Sequence, residues 1–187
     1  MSASRLWMLT GGRGAGKTTF CRSLAAHAHL RGWSIAGLLS PAVFEGAVKT
    51  GILAEDVYTG ETRPLAVSKQ HLSFDLQLGR WFFDRSTLAW GNQVIQKSTP
   101  CHLLIIDELG PLELIRQEGW RAALDVLRGN GYQIALVVVR PELQVLAHKL
   151  LNFSETVTID RTQTIEQWVR IYWPKMTGVV TISRVTV

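Results

Sequence analysis

The sequence predicts an α/β fold, a doubly wound and mostly parallel sheet with helices on both faces and an antiparallel strand extension. Three observations carry that expectation. Residues 6–9, 103–106 and 134–139 are short apolar runs bounded by turn residues, the pattern of strands buried on both faces. Segments with helical periodicity stand between them, over about 17–31, 84–97 and 120–128. A glycine-rich stretch, Gly11-Gly12-Arg13-Gly14-Ala15-Gly16-Lys17-Thr18, joins the first run to the first helix, as a strand–turn–helix unit requires.

Each element follows from local chemistry. Phe20, Leu24, Ala28 and Leu30 share one side of the first helix, and Gly32 suits its C-terminal end. A second strand spans 34–40 and stops at Pro41. Residues 42–49 read as a hairpin around Glu45-Gly46, 51–58 as a further strand, Thr59-Gly60-Glu61 as a turn and 63–67 as the returning strand. Residues 74–78 and 80–83 flank Gly79 as another strand pair. Asp84 or Ser86 caps a helix reaching about Lys97. After Pro100, the run from Cys101 to Ile106 leads into Asp107-Glu108. A helix is expected from Glu113 onward, above all over 120–128, then a buried strand over 132–139. Pro141 starts a helix to about Leu151. A short strand at 156–159 precedes a helix over 164–172 that Pro174 is expected to end, and 179–183 in the tail is β-like. Residues 1–175 thus read as one domain, with 42–84 as a β-rich insertion or sheet extension and 176–187 as a C-terminal tail.

Composition narrows the classes. An apolar content of 47% with 19% charged residues over 187 positions excludes a disordered chain. The longest apolar run is strand-sized, and the N-terminus has no secretory pattern, so no membrane association is expected. Cys21 and Cys101 form no disulfide framework and read as reduced core thiols of a cytoplasmic protein, expected to be monomeric. His27 and His29 fall on opposite sides of a helix and cannot share a metal ion. The net charge of +5 suits a polyphosphate ligand. The 20 Lys and Arg are scattered without a dense run, which argues against a nucleic-acid interface.

The loop from Gly11 to Thr18 fits G-x-x-x-x-G-K-[ST] at all its fixed positions. Backbone N–H groups gather there around one anion at the positive end of a helix dipole. Gly14 and Gly16, lacking a Cβ, let the backbone approach phosphates. Lys17 brings charge to the β- and γ-phosphates. The Thr18 hydroxyl can ligate Mg²⁺, and Thr19 is placed for the α-phosphate. Arg13 holds an unspecified position of the loop, in contact with phosphate or solvated. A second constellation is Asp107-Glu108 after four apolar residues, the Walker B pattern: Asp107 holds Mg²⁺, and Glu108, pointing elsewhere because strand side chains alternate, serves as general base for an attacking water. In open α/β sheets ligands bind at the carboxyl ends of the strands. Arg140 therefore stands where it can reach the γ-phosphate, and Arg161 has the same placement on a weaker strand.

These two motifs together, with the second extended as Asp107-Glu108-Leu109-Gly110-Pro111-Leu112-Glu113-Leu114, resemble the small P-loop nucleoside-triphosphatases of the cancer-related nucleoside-triphosphatase family. Stretches 36–39, 49–52 and 79–84 fit as well, so the likeness spans about 5–172. Leu109 and Leu112 replace the family's Ile and Met, and Lys49 stands where Arg is usual. The family's late Asn-Arg pair has no clear counterpart near 160–163. The resemblance implies a RecA-like fold and slow, Mg²⁺-dependent hydrolysis of nucleoside triphosphates such as ATP and GTP with low base selectivity. It also implies that Glu113 supports the site from behind, where the residues alone read as a helix N-terminal acid. Two other readings use the same loop: a small-molecule kinase with Glu108 as its base, and a nucleotide-dependent binding module with negligible turnover.

Overall fold

Leu103 and Ile105 face one side of the sheet, and Leu104 and Ile106 face the other. That alternation in one strand divides the interior into two cores. The computed structural model describes residues 4–71 and 73–178. In chain order the elements are β1 (Arg5–Thr10), α1 (Lys17–His29), β2 (Ile35–Leu39), β3 (Ala42–Glu45), β4 (Val48–Asp56), β5 (Thr62–Val67), β6 (Phe74–Leu78), β7 (Trp81–Asp84) and α2 (Arg85–Gln96). They continue with β8 (Cys101–Leu109), α3 (Pro111–Leu114), α4 (Arg121–Arg128), β9 (Tyr132–Val139), a 3-10 turn over Pro141–Leu143, α5 (Gln144–Leu150), β10 (Glu155–Thr158) and α6 (Ile165–Thr177). No helix among the described residues is long and apolar enough to cross a membrane.

Among the described residues ten strands form one sheet, ordered β10-β1-β9-β8-β2-β4-β5-β7-β6, with β3 on β4. The run from β10 to β2 is parallel. From β2 to β4 onward every pairing is antiparallel. The change follows connection length: crossovers through α1, α4 and α5 return the chain in the same direction, whereas tight turns reverse it. The strands of the 42–84 stretch thus join the same sheet in antiparallel pairings beyond β2. α1 and α6 cover one face, packing Phe20, Leu24, Trp168 and Trp173 onto Leu9, Leu136 and Val138. α2 and α4 cover the other, with Leu88, Ile95 and Leu127 over Met8, Leu104 and Val137. Cys21 is buried and Cys101 half-buried, both as free thiols.

Three local expectations are corrected. The hairpin arm at 47–49 and the strand from 51 are one strand, β4, with a register shift between Ile52 and Leu53 where it meets β5. The helix expected from Glu113 onward is broken after Leu114, because Gln117 and Gly119 take positive φ (56° and 65°) and the Glu113 carboxylate captures the Trp120 N–H. Pro174 does not end the last helix, which runs to Thr177 and closes on a left-handed Gly178. Arg170, four residues before the proline, is exposed, so water can take the place of the missing donor. The β-like pattern at 179–183 lies outside the described residues.

Candidate active site

β1 ends buried at Thr10, and the chain turns through residues 11–16 into α1, whose N-cap is Gly16 in the left-handed region (φ 89°). A Cβ on Gly11 would sit 2.3 Å from the Ile159 carbonyl oxygen, so only glycine lets the loop leave the sheet beside the end of β10. The Lys17 ammonium donates to the Gly11 and Gly12 carbonyls at 2.7 and 2.9 Å, which draws the lysine back along the loop. Thr18 and Thr19 begin the helix, and Arg13 projects from the exposed crest.

Asp107 and Glu108 lie at the carboxyl end of β8, joined by a cis peptide. Asp107 is 3% exposed. Its carboxylate accepts from the Ser40 N–H at 3.1 Å and from the Thr18 hydroxyl. Burial pushes this carboxyl up, while those two donors and the charges of Lys17 and Lys49 pull it back. Glu108 turns to a different partner, the Arg140 guanidinium, whose Nε lies 2.6 Å from Glu108 Oε1. Burial also raises the Glu108 carboxyl, opposed first by Arg140. The loop, Asp107, Glu108 and Arg140 thus meet at one edge of the sheet, as their strand-end positions predict. Arg140 reaches the acid rather than standing alone.

Glu113 supports this edge from α3. It is 5% exposed and accepts from the Gly110 N–H and the Trp120 N–H, both at 2.8 Å. The first bond fixes the turn just after Glu108, and the second pins the segment that follows α3. Burial lifts the carboxyl to about 7, against the pull of the two N–H groups. A folded pKa above the ordinary 4.5 means that this group favours folding most at acid pH and loses that contribution as pH rises through about 7. Thermal melts across this window should show the parent losing stability relative to Glu113→Gln, which has no such proton to lose. The difference amounts to roughly 3 kcal/mol by the free energy attached to each pKa unit.

Two further cations stand at the same edge, Lys49, which strand-end position does not point to, and Arg161, which it does. Lys49, on β4, interacts electrostatically with Glu108, Arg140, Arg13 and Asp107, and its ammonium lies 5.2 Å from the centre of the Trp81 ring. Burial lowers its pKa. The sequence marks Lys49 only as a cation where the resembling family has another; nothing in a hairpin of this composition says that it points at β8. Arg161, following β10, donates from Nε to the Gly14 carbonyl at 3.3 Å and so lies across the crest of the loop.

A family model described as NTPase matches residues 7–167. Nucleoside-triphosphatase THEP1 of Methanosarcina acetivorans is 28% identical over 155 residues, which cover 82% of this chain and 86% of that protein. THEP1 of Ignicoccus hospitalis is 31% identical over 140 residues (72% and 77%), and that of Metallosphaera sedula 35% over 130 residues (69% and 68%). The solution structure of a human cancer-related nucleoside triphosphatase matches with a TM-score of 0.67 at 21% identity, over 97% of this chain and all of that one. The crystal structure of THEP1 from Aquifex aeolicus matches at 0.52 and 18%, over 89% and 98%. At these identities the two structures bear on the fold.

Proposed function

The chain belongs to the NTPase family whose model spans residues 7–167, and on that premise we propose that it is a Mg²⁺-dependent nucleoside-triphosphate phosphohydrolase of low base selectivity. The observation that carries the reading is the division of labour at the end of β8. Asp107 is bonded to Thr18 of the phosphate loop, while its neighbour Glu108 is turned away and held by Arg140. Binding alone needs the first carboxylate; hydrolysis needs the second.

The loop N–H groups and Lys17 take the phosphates, with Lys17 exchanging the Gly11 and Gly12 carbonyls for phosphate oxygens. Asp107 and the Thr18 hydroxyl put two hard oxygen donors side by side, the pair that would hold Mg²⁺. An Mg²⁺ ion held by Asp107 and Thr18 would supply neutralisation of the phosphate charge. Glu108 accepts a proton from water as the water oxygen bonds to the γ-phosphorus and the bond to the β–γ bridging oxygen breaks. The products are a nucleoside diphosphate and phosphate. Burial raises the Glu108 carboxyl, which makes it a stronger base than a carboxylate in water.

The test is phosphate release from ATP, GTP, CTP and UTP, with and without Mg²⁺. Turnover of all four, lost on chelation, is the expected result. No release from any of them, or release only when a hydroxyl acceptor is added, would overturn the reading, the latter in favour of a kinase. Lys17→Ala should bind nucleotide ~10²-fold more weakly in a direct titration, because a hydrogen bond to a charged group is worth about 1.5–3 kcal/mol.

A further inference from the structure

We propose that Lys49 is a catalytic cation for the γ-phosphoryl group, delivered by the antiparallel extension, and that Trp81 is the residue that positions it. The proposal rests on the hydrolytic reading of the site and adds a group to it. β4 pairs with β2 through Leu38↔Asp56 and Leu39↔Glu55 and then runs on. Its first half therefore passes beyond the carboxyl end of β2, the same end at which β8 presents Asp107 and Glu108. Lys49 lies in that half, partly buried and within electrostatic reach of Glu108, Arg140 and Arg13.

The lysine is held there by an aromatic ring. Its Nζ is 5.2 Å from the Trp81 ring centre, and the Arg80 guanidinium carbon is 4.7 Å from the same centre. Trp81 is thus shared by two cations, one of which looks into the site. Such a contact orients an ammonium without neutralising it, as a carboxylate would. Other charges at this edge have partners of their own: Arg140 pairs with Glu108, and Lys17 spans the loop carbonyls. The two carboxylates Asp107 and Glu108 stand among more cations than they can neutralise, Lys17, Lys49, Arg13 and Arg140, with Arg161 across the loop. That balance fits a ligand of high negative charge. In phosphoryl transfer the transition-state charge spreads over the equatorial γ oxygens, and a cation placed there acts on kcat more than on ground-state binding. A strand of the same chain here takes the place of an activator from another molecule.

The experiment compares the full chain with Lys49→Met, Lys49→Arg, Trp81→Leu and Trp81→Phe. It reads kcat, KM, thermal stability, and the affinities for ADP and for ADP with aluminium fluoride, both with Mg²⁺. Lys49→Met should lower kcat ~10²–10³-fold, the cost of removing one preorganised donor from developing negative charge. KM and ADP affinity should stay within about threefold, and the added affinity conferred by aluminium fluoride should disappear. Lys49→Arg should recover part of kcat. Trp81→Leu should lower kcat about tenfold without weakening ADP binding, with Trp81→Phe restoring most of it. Turnover of Lys49→Met within about threefold of the parent would overturn the proposal, as would a loss shared equally by ADP affinity and stability. A parent that releases no phosphate would sink the hydrolytic reading instead, and the aluminium fluoride comparison would still decide the role of Lys49.

Discussion

Glu108→Gln is expected to lower turnover by ~10²–10⁴-fold, the range over which a positioned base acts, while nucleotide still binds. Gln keeps the length of the side chain and an oxygen for the Arg140 guanidinium, so the edge of the sheet keeps its shape. It cannot accept the proton of the attacking water. Single-turnover phosphate release beside a binding titration separates the two effects. The parent should carry an acid limb in its pH–rate profile, because Glu108 must be ionised to act and burial raises the pH at which it becomes so. In the variant the residual rate should lack that limb. A variant as fast as the parent would remove Glu108 from the mechanism and leave Asp107 as the one carboxylate that matters.

Gly37→Ala is expected to be the most damaging small substitution in the sheet. Gly37 lies in β2 with φ 116° and pairs with Ile105 of β8. An added Cβ would lie 1.9 Å from the Ile105 carbonyl oxygen and within 3 Å of its carbon and nitrogen. All three are backbone atoms of a buried strand, so no side-chain rotation relieves the clash. β2 would have to part from β8, taking with it the Ser40 N–H that holds Asp107. A loss of about 4 kcal/mol or more belongs to this class of change. For a chain of this size it lowers Tm by roughly 10 °C or more. Gly12→Ala is the control: its Cβ would meet nothing within 4 Å, so its Tm should hold.

What could be read from the sequence follows the range of the forces involved. The phosphate loop, β8 and β9 are legible because their patterns are local: a motif at fixed spacing, and apolar runs that only a strand buried on both faces tolerates. Asp107 and Glu108 follow from the same run, since the residue that ends a parallel strand lies at the ligand edge. The break after α3 is not legible, because it depends on where the Glu113 carboxylate finds its second N–H, seven residues on. The continuation of α6 through Pro174 depends on which side of that helix meets water. Lys49 depends on the least local fact of all, that β4 joins β2 and overshoots it. A hairpin sequence carries no trace of the strand it will lie beside. The Arg140–Glu108 pair is intermediate: both ends were expected at this edge, and their mutual contact comes only with the structure.

The pairing of β1 also bears on how such a chain comes to be folded. Its neighbours are β9 and β10, with Arg5 opposite Ile134 and Trp7 opposite Glu155. As the polypeptide leaves the ribosome, the strand that carries the phosphate loop emerges before either of its neighbours, so both of its hydrogen-bonding sides stay open until β9 and β10 have followed. Closing so long a loop is entropically expensive and slow. During that interval Leu6, Met8 and Leu9 offer a bare apolar edge of the kind that holding chaperones bind. A ribosome stalled before β9 would therefore display the whole loop motif on a strand with no sheet to hold it.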